Sequence, residues 1–296
     1  REKMKKYKSD RAFDIVNGLI IAILCVTFIL PFWMMIISSF TEEISLRVNG
    51  YKLFPSAFSA AGYEYIFSSS DYNILRAIIN SVIISVSGTV LSVAVSLITA
   101  YALSKKYVVG IKGINVFYII TMFFAGGTIP LYLVIRGIGL YDTIWALIIP
   151  SMFSLYHIIL VRSYFYSLPA ALEEAAMIDG ANDFKILVSV FLPISVPMVL
   201  TIAFFMFVDR WNSWMDALLY LGQSEKSKSL RPLQFVLKQI LENSENSGGL
   251  DGSAAITPVL SAKSAAVVIA IAPLLAIFPI IQRYFVNGIT IGAVKG

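Results

Sequence analysis

An all-α protein that crosses a lipid bilayer several times is the fold class this sequence predicts, and three observations predict it. Of its 296 residues, 58% are hydrophobic and 14% charged, whereas a soluble domain is roughly half apolar and about a quarter charged. Mean hydropathy is +0.79. The charges are also segregated, leaving uncharged stretches at 15–41, 77–104, 113–135, 143–161, 186–208 and 264–282. Each reaches, or nearly reaches, the roughly 20 residues that a helix needs to cross about 30 Å of hydrocarbon. A large soluble helical protein would instead need amphipathic helices and polar connectors throughout.

The elements follow in order. Residues 1–14 carry Arg1, Lys3, Lys5, Lys6, Lys8 and Arg11, and the excess of Lys and Arg on the inner side of membranes places this segment in the cytoplasm. Stretch 15–41 is too long for the core of a secretory signal and has no small-x-small cleavage pattern before Pro31 and Trp33, so it reads as a retained first span. It holds Cys25, the single cysteine, which excludes a disulfide framework and a Cys-based metal site. The second span sets Ser81, Ser85, Gly88, Ser92 and Ser96 three or four residues apart on one stripe. Such spacing suits close helix packing or a polar pathway wall. The loop 105–112, with Lys105, Lys106 and Lys112, then falls inside.

The third span contains Gly126-Gly127 and Pro130, and a kink or break is expected there. Loop 136–142 falls outside. The fourth span holds the one histidine, His157, read as a buried packing residue and not a ligand. The fifth ends in Asp209-Arg210-Trp211-Asn212-Ser213-Trp214-Met215-Asp216. On a continuous helix Asp209, Asn212 and Asp216 share one face, while Arg210 and Trp214 share another suited to a cation–π contact. Asp209, Arg210, Asn212 and Asp216 are therefore the candidate pathway or gate residues. The other reading is the outer end of a span with its Trp residues in the headgroup belt. Loop 221–263 falls outside, and the sixth span returns the C-terminus to the cytoplasm. The basic pI does not point to nucleic acid, because the basic residues follow membrane topology.

Segment 165–193 falls inside and is the polar interruption that asks for a partner. Ser167 and Pro169 suit the start of a helix that carries Glu173 and Glu174. Gly180 suits the left-handed turn that ends it. Asn182 or Asp183 can cap a second helix running to Leu192, where Pro193 stops it. Leu168, Leu172, Ala175 and Ala176 form one apolar stripe and Phe184, Leu187, Val188 and Phe191 another. A hairpin folded back on its own spans would also explain these stripes.

Glu174-Ala175-Ala176, then Gly180, then Val190-Phe191-Leu192-Pro193 resembles the EAA motif of ABC-importer permeases, with valine where the family usually has isoleucine. Asp179-Gly180-Ala181 also matches. The stretch 282–296 resembles the C-terminal end of the MalG-like branch, and Phe123–Pro130 is similar to carbohydrate-uptake permeases of the LplC/YtcP type. The resemblance covers nearly the whole chain. It implies a six-span permease domain over 15–285, with coupling helices at about 168–192 and a cytoplasmic tail at 286–296. Glu174, Ala175, Ala176, Asp179, Gly180, Leu192 and Pro193 would form the contact with a cytoplasmic ATPase dimer, and Lys295 and Gly296 a further contact in the tail. The loop at about 221–263, made pliable by Gly248, Gly249 and Gly252, would meet an extracytoplasmic solute-binding protein.

The resemblance further implies a second, similar permease subunit in the bacterial cytoplasmic membrane and inward movement of an oligo- or polysaccharide, including uronate chains such as alginate or pectin fragments. The sequence has no G-x-x-x-x-G-K-[ST] phosphate cradle, so ATP and Mg belong to the partner and no catalysis or cofactor is expected in this chain. Two rivals stand beside this reading. A secondary transporter would show internal repeats and midplane ion-binding residues. An intramembrane enzyme would show a metal cluster or an activated nucleophile.

Overall fold

A computed structural model describes residues 8–68, 73–105, 107–124, 126–247 and 258–293. Apart from an isolated antiparallel bridge between Thr41 and Phe58, the regular structure among them is helical. The chain runs α1 (Lys8–Ser39), α2 (Glu43–Asn49), α3 (Ala61–Phe67), α4 (Ile74–Ser104), α5 (Ile111–Phe123), α6 (Thr128–Gly137) and α7 (Trp145–Ile148). A 3-10 turn at Pro150–Met152 precedes α8 (Leu155–Ser167), α9 (Ala170–Ile178) and α10 (Asp183–Ile186). A π turn at Leu187–Phe191 leads into α11 (Leu192–Ile194), α12 (Val196–Trp211), α13 (Met215–Tyr220), α14 (Glu225–Lys228), α15 (Leu233–Ser247) and α16 (Val259–Ala293).

Three stretches, Phe13–Ser39, Ile74–Ser104 and Val259–Pro279, are continuous helix long and apolar enough to cross a membrane. Three more are bent pairs: α5 with α6 at 111°, Trp145–Met152 with α8 at 43°, and Asp183–Ile194 with α12 at 86°. They correspond to the six uncharged stretches of the sequence. The expected break in the third span falls after Phe123, and α6 restarts at Thr128, two residues before Pro130. Proline is tolerated there because the N–H it lacks would have had no partner in the first turn.

The chain divides into two compact units, residues 1–70 with 239–271 and residues 71–238 with 272–296. In the first, Phe40 stacks on Phe58 at 5.5 Å and meets Tyr63 at 4.9 Å. The buried Glu43 carboxylate accepts the backbone N–H groups of Leu260 (3.0 Å) and Ser261 (3.1 Å) and caps the start of α16. On α1 every side chain from Phe13 to Trp33 is exposed.

The second unit is organised around α4. Its stripe Ser81, Ser85, Gly88, Ser92 and Ser96 is buried throughout, so these small residues serve helix packing. Two apolar clusters flank it. One gathers Leu97, Tyr101, Ile158, Phe165, Ile186, Leu187, Phe191 and Ile202. The other gathers Ile84, Ile135, Leu147, Ile148, Tyr220, Leu221 and Phe235.

Residues 221–247 are more ordered than the loop reading expects. They fold into α14 and α15, and α15 buries Leu233, Phe235, Val236 and Leu237. The reason is visible in the sequence as an i, i+3, i+4 apolar spacing. Asn80 donates to the carbonyls of Ser229 (2.9 Å) and Arg231 (3.1 Å), and Ser81 accepts the Leu233 N–H at 2.8 Å. Gly248, Gly249 and Gly252, as well as Lys295 and Gly296, lie outside the described residues.

Candidate functional site

The Gly180 elbow is built as its motif residues require. After α9 the chain reaches Gly180 at φ 75°, where a Cβ would cost about 1–2 kcal/mol. The backbone N–H of Gly180 donates to Met177 and that of Ala181 to Ala176, which satisfies the last carbonyls of α9. Asn182 caps α10 by accepting the Lys185 N–H at 2.9 Å, as expected.

Three details differ from expectation. Ser167 does not start a helix: it ends α8 and donates its hydroxyl to the Tyr164 carbonyl at 2.7 Å, while Pro169 occupies the cap position of α9. Pro193 does not end the second helix either. The preceding turn widens to π geometry, so the carbonyl one α-turn back no longer meets the proline ring, and helix continues to Ile194.

The apolar stripes divide as well. Leu187 and Phe191 are buried and Leu168 and Ala176 pack on the same cluster. Leu172, Ala175, Met177, Phe184 and Val188 are exposed, and Ile178 is 86% exposed. Among the described residues α9 buries none of its side chains. Glu174, Asp179 and Gly180 are exposed beside that apolar face, and Leu192 and Pro193 follow the π turn. The hairpin folded wholly back on its spans is not what forms.

Behind the elbow lies a polar cluster that sequence reasoning missed. Lys105, which follows α4, is buried; its Nζ is 2.5 Å from Glu173 Oε1 and sits over the rings of Tyr101 (3.8 Å) and Phe191 (4.8 Å). Tyr107 donates to Asp183 Oδ1 at 2.7 Å. Tyr107 is itself exposed, but desolvation of its hydroxyl and this bond push it up to about 12, and at neutral pH it is protonated and donates. Lys105, Tyr107, Glu173 and Phe191 help line a cavity of about 240 Å³. The Lys-rich loop pattern was read only as a topology signal, and no local pattern gives pairings across 68 or 76 positions.

The second candidate cluster lies where α12 ends. The helix stops at Trp211, with Asn212 as its cap, and α13 begins only at Met215. The continuous-helix faces expected across 209–216 therefore do not form. Arg210 does not lie over Trp214; Lys238 Nζ does, at 3.5 Å from the ring. Trp211 is fully buried and so is no headgroup anchor.

Arg210 is buried and committed to its own chain. It donates to Ser151 Oγ (2.6 Å), the Ser151 carbonyl (2.8 Å), the Ile148 carbonyl (3.4 Å) and Ser92 Oγ. It thus serves the backbone freed where α7 breaks before α8. Asp209, Arg210 and Asp216 line one cavity of about 140 Å³ with Ser151 and Ser213. Asn212 is exposed and is not brought to it. His157 is buried and hydrogen-bonded to Ser154 at 2.7 Å, and it lines a cavity of about 280 Å³ with Asp209 and Arg210. No group of three or more metal-ligating side chains occurs among the described residues.

Comparison with known proteins defines the class. No protein-family profile matches the chain. Protein LplC of Bacillus subtilis is 37% identical, over 99% of this chain and 98% of that one. The polygalacturonan/rhamnogalacturonan transport system permease protein YtcP of the same organism is also 37% identical, over 97% and 99%. A crystal structure of a bacterial ABC transporter involved in the import of the acidic polysaccharide alginate superposes with TM-score 0.79 at 29% identity, covering 95% of this chain and 99% of that one. The chain belongs to the sugar ABC-importer permease family.

Proposed function

We propose that this chain is one of two membrane-embedded halves of a binding-protein-dependent importer that moves an oligo- or polysaccharide inward, with uronate-containing chains as the substrate class. The substrate reading is supported by the polymers named for YtcP and for the alginate importer. Termini and Gly180 elbow face the cytoplasm of a bacterial cell, following the positive residues of 1–14. The α9 face, with Ile178, Met177 and Leu172 exposed beside Glu174 and Asp179, is the observation that carries the coupling assignment. It offers apolar area and carboxylates to a partner, which is the composition of a docking helix. The partner is a cytoplasmic ATPase dimer that holds ATP and Mg. Glu174, Ala175, Ala176, Asp179 and Gly180 meet it directly, and Leu192 and Pro193 carry the motif into the spans. Lys295 and Gly296 form a further contact.

Sugar moves by alternating access, because ATP shifts the two conformations only through contacts that differ between them. The exposed α1 face is covered by lipid and by the second permease, and the solute-binding protein meets residues 221–263. Asp209, Arg210 and Asp216 border the pathway, with Arg210 as its scaffold. The test is purification of the chain with its neighbours in lipid. An ATPase that co-elutes, and whose hydrolysis rises with loaded binding protein, supports the assignment; Gly180→Pro should abolish that rise. No co-eluting ATPase, or full stimulation in Gly180→Pro, defeats it. A binding screen of the cognate binding protein against neutral and uronate oligosaccharides decides the substrate class.

A further inference from the structure

We propose that the loop following α4 grips the Gly180 elbow at one point on each arm, through Lys105 to Glu173 and Tyr107 to Asp183, so that α4 moves with the elbow as a lever. This rests on the elbow being the ATPase contact.

The two grips fall either side of the pivot. Glu173 lies on α9, seven residues before Gly180, and Asp183 opens α10, three residues after it. Gly180 itself has nothing within 4 Å of where a Cβ would stand, so no side-chain packing at the pivot ties it to the loop after α4. Neither arm adjoins α4 in the chain: the pairings span 68 and 76 positions. Without them, a push on α9 reaches α4 only through side-chain packing.

The first grip is rigid. Lys105 is 5% exposed and Glu173 22%, and the ammonium is boxed by the Tyr101 and Phe191 rings. A buried ion pair contributes little net stability but holds a fixed geometry. Phe191 belongs to the π turn, so the box also holds the far end of the second arm. The second grip is carried by Tyr107, because the Tyr101 hydroxyl lies 3.4 Å from the same Asp183 oxygen, at the weak limit of a hydrogen bond, against 2.7 Å for Tyr107.

The lever has a destination. From Lys105 to Ser92, α4 rises about 20 Å, and Ser92 accepts from Arg210 beside the cavity at the end of α12. Movement of the elbow is thereby delivered to the Arg210 cluster.

The test uses the complete importer in proteoliposomes and reads sugar taken up per ATP hydrolysed, a ratio that a mere loss of assembled complex does not move. Glu173→Gln, Lys105→Met and Tyr107→Phe should each lower that ratio about fivefold, and Lys105→Arg should recover most of it. An unchanged ratio in Glu173→Gln and Tyr107→Phe overturns the grip, as does a Lys105→Arg importer no better coupled than Lys105→Met. Should Lys105→Met fail to assemble, Tyr107→Phe, which removes one hydroxyl, decides alone. If the wild-type preparation contains no ATPase, the functional assignment fails; if it couples normally while these variants do too, only the grip fails.

Discussion

A Cβ on Gly88 would stand 2.7 Å from Nη1 of Arg210 and 2.8 Å from its Cδ and Cζ. The guanidinium cannot swing aside, because Ser92, Ser151 and the Ile148 carbonyl hold it. Gly88→Ala should therefore destabilise by ~1–3 kcal/mol, the usual cost of overpacking, read as a lower melting temperature in detergent. Combining Gly88→Ala with Arg210→Met should cost less than the sum of the two singles, since both act on one contact.

Arg210→Met removes four hydrogen bonds and leaves the buried Ser92 hydroxyl and Ile148 carbonyl without this donor, while Ser151 is exposed and can turn to solvent. Each such group costs ~1–3 kcal/mol, so the variant should be less stable than Arg210→Lys, which retains a cation. If Arg210 instead served substrate alone, both variants would melt like wild type and lose only transport.

Gly139 and Gly180 have nearly the same backbone, φ 76° and 75°, and neither would meet an atom within 4 Å on gaining a Cβ. Alanine at either should cost a similar ~1–2 kcal/mol. Gly139→Ala should leave the ratio of sugar moved to ATP hydrolysed unchanged, whereas Gly180→Ala should lower it. Equal effects on that ratio would show that strain alone is at work.

Asp142 adopts φ 65° and joins distant segments: its carboxylate accepts from the hydroxyl of Ser227, from Gly222 N–H at 2.9 Å and from Ser224 at 3.3 Å. The Ser227 and Gly222 bonds hold its pKa below the ordinary carboxylate value, near 3.9. A carboxyl lowered on folding stabilises the protein above that unfolded value and loses the contribution as pH falls through the folded one. Wild type should therefore melt above Asp142→Asn at pH 7, with the gap closing below about pH 4. Equal melting of the two at pH 7 would show that the ionised carboxylate contributes nothing through these bonds.

Periodicity and charge carried much of the architecture. The six uncharged stretches, the break at Gly126-Gly127 and the Gly180 turn all follow from local rules of length, proline and glycine geometry. The helix and turn around the motif were equally legible. Side-chain partners were not, because they depend on where helices distant in sequence meet. Arg210 was assigned Trp214 on the assumption of one continuous helix, and the stop at Trp211 sent it to Ser92 and Ser151 instead. Lys105 was read only as a topological charge, although its partner Glu173 was already singled out as helix-starting. The helical fold of 225–247 was visible in the Leu233–Ile240 spacing but masked by the expectation of a loop.

The π turn at Leu187–Phe191 has a consequence for angular phase. It winds one more residue into its turn than an α-helix would, and one residue is worth about 100° of rotation. Deleting a single residue there, such as Ser189, would tighten the winding and turn everything upstream of it about the helix axis. The side-chain grips on the Gly180 elbow can therefore form only in the angular phase that this one surplus residue sets.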